Sequence, residues 1–227
     1  MSIVKFSPSL MCMDILNVQE QIEKLNKYAD FYHIDIMDGH YVKNLSFSPH
    51  FVKSIRHITN VPLDCHLMVT NPSDYIDELI QAGANYICPH AETLNAIAFR
   101  SIYKIHDAGL KAGVVLNPET PIEYIKEYIH LLDKITIMTI DPGFVGQPFL
   151  KEMLKKIKAL QELKKEYGYS YLIECDGSAN KKTFKDLYQA GVEVFIIGNS
   201  GLFSLDNDID IAWHKMKEIF KSEIQNN

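Results

Sequence analysis

The chain has 227 residues, of which 47% are hydrophobic and 23% charged, and its 23 Lys and Arg against 29 Asp and Glu give a net charge of −6. This composition excludes a disordered chain, which would have too little apolar surface to bury. It also argues against nucleic-acid binding, because such a domain needs a basic surface. The length suits one domain, and we expect no nucleic-acid partner.

Neither a secretory leader nor a membrane span is predicted. The first residues lack a basic segment followed by an apolar one, and no apolar run approaches the roughly 20 residues of a transmembrane helix. The four cysteines lie far apart and form no C-x-x-C pair. Reduced thiols are therefore the expectation. The sequence predicts a cytoplasmic protein with no membrane partner.

Short β-rich runs alternate with amphipathic stretches along the whole chain. Residue Asp14 is a predicted helix N-cap, and Pro72 and Gly83 bracket another helix at its start and its end. In chain order, the predicted pairs of strand and helix are 3–6 with 14–28, 31–36 with 49–58, 63–67 with 71–82, 86–88 with 94–108, 112–116 with 121–130, 134–140 with 150–167, 171–175 with 181–190, and 194–197 with 209–220.

Eight βα units in this length, roughly 28 residues each, predict an α/β fold of the (β/α)8 TIM-barrel type. A doubly wound open sheet is the alternative, since alternation alone does not distinguish a closed sheet from an open one. The even spacing of the eight units favours the barrel. No linker or change in composition interrupts the chain, so we expect a single catalytic domain over residues 1–227.

Polar residues stand at the end of the second predicted strand. Side chains alternate between the two faces of a strand, so His33, Asp35 and Met37 share one face. In a barrel whose other face packs on helices, this face is the interior. A histidine and an aspartate are costly to bury there unless they are hydrogen-bonded or bind a metal.

The third and seventh strands repeat this pattern. His66 shares a face with Met68, and Glu174 shares one with Asp176. One divalent cation is predicted to bind two histidines and two carboxylates, His33, Asp35, His66 and Asp176. The ligand types suit Zn²⁺, Mn²⁺, Co²⁺ or Fe²⁺, and Mg²⁺ less well. The alternative is that each residue is an ordinary hydrogen-bonded core group. His90 and Glu92, just past the fourth strand, are candidates to support the ligands or to contact substrate.

Glycine-rich loops follow the last three strands. They contain Gly143–Gly146, Gly177-Ser178 and Gly198–Gly201. Glycine allows backbone N–H groups to approach a ligand closely, and clustered amides bind an anion without Lys or Arg. The loops after strands seven and eight are the usual phosphate site of such barrels. The three loops predict an anionic substrate held by local dipoles.

These residues carry a resemblance that covers essentially the whole chain. The sequence resembles the ribulose-phosphate 3-epimerase family in the segments Ser7-Pro8-Ser9-Leu10, His33-x-Asp35-x-Met37-Asp38-Gly39-His40, His66-Leu67-Met68, Asn117-Pro118-x-Thr120-Pro121, Pro142-Gly143-Phe144-x-Gly146-Gln147 and Asp176-Gly177. The resemblance implies a metal-dependent isomerase that inverts C3 of a ketose phosphate, and relatives of this kind are commonly homo-oligomers.

The resemblance also implies roles for individual residues. Asp35 would remove the C3 proton, and Asp176 would return one to the other side of an enediolate. The implied metal ligands are the same four residues that the strand-face argument selects. The implied substrate contacts are Ser9, His66, Gly143, Phe144, Val145, Gly146, Asp176, Gly177, Ser178, Gly198, Asn199 and Ser200. Met37, Met68 and Met138 would line the site and exclude water, although Met138 fits simple core filling equally well.

The substrate is the least determined feature. Segments such as Asp176-Gly177-Ser178, where five-carbon enzymes usually read Asp-Gly-Gly, favour conversion of D-allulose 6-phosphate to D-fructose 6-phosphate. The alternative is conversion of D-ribulose 5-phosphate to D-xylulose 5-phosphate. Glu119 and Ser178 are candidates to recognise an extra hydroxyl. A barrel decarboxylase is disfavoured, because its Asp-x-Lys-x-x-Asp motif is His33-x-Asp35-x-x-Asp38 here. A non-catalytic sugar-phosphate binder is the remaining alternative.

Overall fold

Eight parallel strands form one sheet in the computed structural model, which describes residues 4–225. The strands are β1 (Lys5–Pro8), β2 (Tyr32–Met37), β3 (Leu63–Met68), β4 (Tyr86–Pro89), β5 (Lys111–Leu116), β6 (Lys134–Met138), β7 (Leu172–Asp176) and β8 (Val194–Ile197). The helices are α1 (Val18–Leu25), α2 (Pro49–Arg56), α3 (Ser73–Ala82), α4 (Ala98–Asp107), α5 (Met153–Tyr167), α6 (Phe184–Ala190) and α7 (Ile209–Gln225).

The strand order β1-β8-β7-β6-β5-β4-β3-β2 is that of a barrel. The sheet closes between β1 and β2, where an isolated parallel bridge joins Ser9 to His33. The Ser9 hydroxyl also donates a hydrogen bond of 2.9 Å to Oδ2 of Asp35 across this seam. The predicted single-domain (β/α)8 barrel is therefore confirmed, and the open sheet is excluded.

Strand alternation sorts apolar from polar side chains. Outward residues such as Ile34, Ile36 and Leu67 are at most 1% exposed and belong to the main core cluster. The inward residues of β2 and β3 are largely polar. The register of these two strands places them side by side, with His33 paired with Asp64 and Asp35 with His66. The interior of the barrel is thus a column of polar groups that ends at the carboxyl edge of the strands.

One predicted helix is wrong. Residues 121–130 form two turns of 3₁₀-helix, Ile122–Ile125 and Ile129–Leu131. This segment is rich in β-branched and aromatic residues, which have modest helix propensity. The first predicted helix also begins as a 3₁₀ turn, Ile15–Asn17, in which the Asp14 carboxylate accepts the Leu16 N–H as the predicted cap. Residue 3 of the first predicted strand lies outside the described residues.

None of the helices within residues 4–225 is both long enough and apolar enough to cross a membrane. All four cysteines are unpaired, and three of them, Cys65, Cys88 and Cys175, are buried.

Candidate active site

Four side chains converge at the carboxyl ends of β2, β3 and β7. They are the four predicted ligands, His33, Asp35, His66 and Asp176, and each offers one donor atom within 4.8 Å of the other three. Nε2 of His33 lies 3.3 Å from Oδ1 of Asp35 and 3.6 Å from Oδ2 of Asp176. Nδ1 of His66 lies 3.4 Å and 3.3 Å from the same two oxygens.

These separations fit a small divalent cation. Four donors placed 2.0–2.1 Å from a tetrahedral Zn²⁺ would lie about 3.3 Å from one another. The two histidine nitrogens are themselves 3.3 Å apart. Without positive charge between them, the lone pairs of two nitrogens and the negative charges of two carboxylate oxygens would face one another at these distances. The donor set therefore fits the predicted metal, and the chemistry of two nitrogens and two oxygens suits Zn²⁺, Mn²⁺, Co²⁺ or Fe²⁺.

Hydrogen bonds on the far side of each ring determine which nitrogen faces the cluster. Nδ1 of His33 lies 2.9 Å from Oδ2 of Asp64, so Nδ1 carries the proton and Nε2 presents its lone pair to the cluster. Nε2 of His66 lies 2.8 Å from Nε2 of His90. Burial lowers the pKa of His90 to about 4, so this ring is neutral and can accept the His66 N–H.

His90 and Glu92 lie behind His66, a position compatible with the first of their two predicted roles. Nδ1 of His90 lies 3.4 Å from Oε2 of Glu92. Oε1 of Glu92 accepts hydrogen bonds from the Asn117 N–H and the Thr120 hydroxyl. His66, His90 and Glu92 thus form a chain that runs from the cluster to the loop after β5. Neither His90 nor Glu92 borders the cavity that opens above the cluster.

The two catalytic candidates are held as carboxylates. Burial alone would raise the pKa of Asp35, but the positive charge that His33 and His66 carry when no cation is bound and both rings are protonated holds it well below the ordinary range. The same two rings lower the pKa of Asp176 against the opposing effect of burial. In each group one oxygen faces the histidines. The other oxygen of Asp35, Oδ2, accepts the Ser9 hydroxyl.

A cavity opens above this cluster. The catalytic candidate Asp35, all three predicted methionines and every predicted substrate contact except His66 border it: Ser9, Asp35, Met37, Met68, Met138, Gly143, Phe144, Val145, Gly146, Asp176, Gly177, Ser178, Gly198, Asn199 and Ser200. His66 lies beneath, in the ligand cluster. Sequence reasoning missed Met11, Cys12, Ile140, Ala179 and Ile196, which also border the cavity and have no chemical signature. No Lys or Arg of the described chain borders it, so an anion would be held by amides and neutral side chains.

Two residues of the seventh-strand loop have left-handed backbone. Gly177 has φ +117°, and a Cβ there would lie 2.4 Å from Cγ1 of Ile140. Ser178 has φ +53°, which is unusual for a residue with a side chain. Its hydroxyl donates a 2.9 Å hydrogen bond to the carbonyl of Gln147. This bond joins the loop after β7 to the loop after β6, so the two predicted phosphate loops are linked.

Replacing Gly177 by Ala should displace this loop. The added methyl group clashes with Ile140 and the backbone is strained, so we expect destabilisation of about 1–3 kcal/mol and a KM for the anionic substrate predicted from the sequence raised at least tenfold. Thermal unfolding and steady-state kinetics measure the two effects. Gly168→Ala is the control, because φ is +69° there but no atom lies within 4 Å of the added carbon. It should leave KM unchanged; an equal KM change in both variants would contradict the prediction.

A layer of charged residues below the ligands was not predicted. Lys134, Asp64 and Glu174 are each fully buried. Nζ of Lys134 pairs with the Asp64 carboxylate and lies 2.9 Å from Oε1 of Glu174. Thr136 donates a hydrogen bond of 2.7 Å to the same Glu174 oxygen. Strand alternation already placed Glu174 on the inner face, and the same alternation places Lys134 and Thr136 there with Met138.

The barrel and the cluster at its carboxyl edge place this chain among the (β/α)8-barrel enzymes, which carry their active sites at that edge. A family model described as the ribulose-phosphate 3-epimerase family matches residues 5–203. The chain belongs to this family, and it is accordingly a carbohydrate epimerase of the isomerase class.

Individual relatives agree with this assignment. Ribulose-phosphate 3-epimerase of Bacillus subtilis (strain 168) is 39% identical over 87% of this chain and 91% of its own length. The protein of the same name from Aquifex aeolicus (strain VF5) is 35% identical over 96% and 97%. The solved structure of 3-hexulose-6-phosphate synthase from Salmonella typhimurium covers 97% of this chain and all of its own, with a TM-score of 0.64 and 15% identity. At that identity it shows the fold alone.

Proposed function

We propose that this protein interconverts the C3 epimers of a ketose phosphate, with D-ribulose 5-phosphate as the first candidate. The observation that carries the proposal is the convergence of Asp35 and Asp176 with two histidines at the floor of a glycine-rimmed cavity. The names of the relatives support the five-carbon substrate better than D-allulose 6-phosphate, which the sequence motifs favoured.

Inversion at C3 needs a proton acceptor and a proton donor on opposite faces of the carbon. Asp35 comes from β2 and Asp176 from β7, two strands separated by β8 and β1 in the barrel. Oδ2 of Asp35 would take the C3 proton, and Oδ1 of Asp176 would return a proton to the other face. The reverse reaction exchanges these roles. The Ser9 hydroxyl, bonded to Oδ2 of Asp35, holds that oxygen in place.

The proton next to a carbonyl is weakly acidic, and the enediolate that remains after its removal is negatively charged. A divalent cation held by His33, Asp35, His66 and Asp176 would supply positive charge to stabilise that intermediate. Met37, Met68 and Met138 border the cavity without offering a proton, so they would keep competing water from the carbanionic carbon. The phosphate would bind the amides of the loops that contain Gly143–Gly146, Gly177-Ser178 and Gly198–Ser200.

Exchange of the C3 proton in D₂O tests this proposal. We expect deuterium to enter C3 of the ketose phosphate as the epimers interconvert, and a protein that binds the sugar phosphate without exchanging the proton would contradict it. The measurement distinguishes an epimerase from a non-catalytic binder. Run with D-ribulose 5-phosphate and D-allulose 6-phosphate side by side, it also compares the two substrates.

One observation keeps the six-carbon substrate as a second candidate. Ser178 places a side chain at the rim where five-carbon enzymes usually have glycine, and its bond to Gln147 fixes the separation of the two loops there. Glu119, the other predicted specificity residue, borders an adjoining cavity with Tyr41, Asn117, Asp141 and Phe144.

Ser178→Gly should therefore shift the ratio of kcat/KM for D-allulose 6-phosphate to that for D-ribulose 5-phosphate toward the smaller sugar, by about tenfold. Steady-state kinetics with both substrates measure it. Glu119→Ala is the comparison variant. Because Glu119 lies outside the cavity above the cluster, we expect a smaller shift of the kcat/KM ratio from it. If both variants leave the ratio unchanged, neither residue determines the substrate.

We also propose that the chain forms a homo-oligomer. Ile15 and Leu16, in the turn after β1, are 70% and 89% exposed, and burial of such residues between copies would be favourable.

A further inference from the structure

A lysine lies in the interior of the barrel, without exposure to solvent. Lys134 is 0% exposed, although lysine is rarely fully buried unless it is paired. Its ammonium contacts the carboxylates of Asp64 and Glu174, and it lies 5.1 Å from the centre of the Tyr86 ring. Burial alone would lower the pKa of Lys134, but Asp64 and Glu174 hold it well above the ordinary range. The group is therefore a permanent cation beneath the ligand cluster.

This cation is connected to a ligand through one carboxylate oxygen. Oδ2 of Asp64 contacts Nζ of Lys134 and also lies 2.9 Å from Nδ1 of His33. The other oxygen, Oδ1, accepts a 3.2 Å contact from Sγ of Cys88. The carboxylate is thus fixed from both sides, and its remaining function is to hold the proton of His33 on Nδ1. Nε2 of the same ring then faces the cluster.

We infer that Lys134 is a positioning residue for the metal site, acting through Asp64 on His33. The inference rests on the proposed metal site. Asp64 and Glu174 lie close enough for one donor atom of each to be within 4.8 Å of the other, and two buried carboxylates at that distance repel. The ammonium between them removes the repulsion and keeps Asp64 against His33. Without it, Asp64 would leave the position from which it orients the ring.

A purely structural role predicts something different. If Lys134 only neutralised the interior, any change that preserved the buried charge would preserve metal binding. Lys134, Asp64 and Glu174 together carry a net charge of −1 when both carboxyl groups are ionised. The double variant Lys134→Met/Glu174→Gln also leaves −1, because it removes one positive and one negative group. It therefore keeps the charge balance and, compared with Glu174→Gln, removes the ammonium that pairs with Asp64.

Metal affinity is the readout. Zn²⁺ dissociation constants are measured by competition with a chromophoric chelator, and Co²⁺ absorption spectra report the ligand geometry. Glu174→Gln retains the pair of Lys134 and Asp64. We expect its Zn²⁺ dissociation constant to stay within about threefold of that of the native protein, because Glu174 does not orient a ligand. We expect Lys134→Met/Glu174→Gln to bind about 10- to 100-fold more weakly, with an altered Co²⁺ spectrum.

Two further variants make the result unambiguous. Lys164→Met removes another lysine–carboxylate pair beside β7, with Glu193 at 2.6 Å and outside the ligand network, and should not change metal affinity. Lys134→Gln/Glu174→Gln retains a hydrogen-bond donor near Asp64 and should have intermediate affinity, which also decides the question if the methionine variant does not fold.

If folded double variants bind Zn²⁺ as tightly as Glu174→Gln does, the inference about Lys134 is wrong while the proposed metal site stands. If the native protein binds no divalent cation, the proposed metal site fails, and the inference fails with it.

Discussion

Asp176→Asn should slow epimerisation by about 10²- to 10⁴-fold but preserve proton exchange at C3 of one epimer. The substitution removes the group that returns a proton to one face of the carbon, while Asp35 and the Ser9 hydroxyl bonded to it remain intact. General acid–base catalysis contributes about 10²- to 10⁴-fold, so we expect turnover to fall by that factor. Asp35 can still remove a proton from its own face and return deuterium to the same face. Proton NMR in D₂O, which follows each epimer separately, measures both effects.

The reciprocal variant provides the control. Asp35→Asn should also slow epimerisation, but exchange should then persist on the other epimer. Both asparagines keep an oxygen that can face the two histidines, and metal content is measured on each variant to separate loss of the proton acceptor from loss of the cation. If either variant epimerises at the native rate, or if both exchange the same epimer while metal is bound, the assignment of opposite faces is wrong.

Removal of the cation should stop both reactions. Because two of the four ligands, Asp35 and Asp176, would also perform the proton transfers, protein stripped with a chelator should lose at least 10³-fold in exchange rate, since several kcal/mol of charge stabilisation are removed. Zn²⁺, Mn²⁺, Co²⁺ or Fe²⁺ should restore activity, and Mg²⁺ should do so poorly, because two of the donors are nitrogens. Exchange in D₂O before and after addition of each ion measures this.

Stability should change in parallel. A ligand at 1,000 times its dissociation constant stabilises the folded state by about 4 kcal/mol. The metal-free protein should therefore unfold at a lower temperature than the reconstituted protein, and calorimetry measures the difference. A preparation shown to be metal-free that retains native exchange would contradict the metal requirement, whatever its unfolding temperature.

The strand pattern was sufficient to predict the fold and most of the side chains that converge at the candidate site. His33 and Asp35 lie two residues apart, and this spacing alone placed them on the same inner face, where the structure brings them together with His66 and Asp176. Likewise, the predicted methionines and glycine loops all border the cavity. These features depend on local alternation and on the order of the strands, both of which can be read from a sequence.

Features that depend on depth within the barrel were not predictable in this way. Alternation assigns Lys134 to the inner face but does not say that Asp64 and Glu174 lie beside it, because the stagger between β3, β6 and β7 is a property of the closed sheet. The connection after β5 was mispredicted for a different reason. Apolar residues at helical spacing over 121–130 fit one continuous helix, whereas the structure forms two short turns.

The seam of the barrel has a mechanical consequence. Each other pair of neighbouring strands is joined by a ladder of two or more residue pairs, but β1 and β2 meet through one bridge, between Ser9, just past β1, and His33. A cation bound by His33 and Asp35 on one side of that opening and by Asp176 on the other would cross-link the two sides, independently of any backbone hydrogen bond. The loaded protein would then resist spreading where its own backbone is least continuous, and amide hydrogens of β1 and β2 would exchange more slowly with the ion in place.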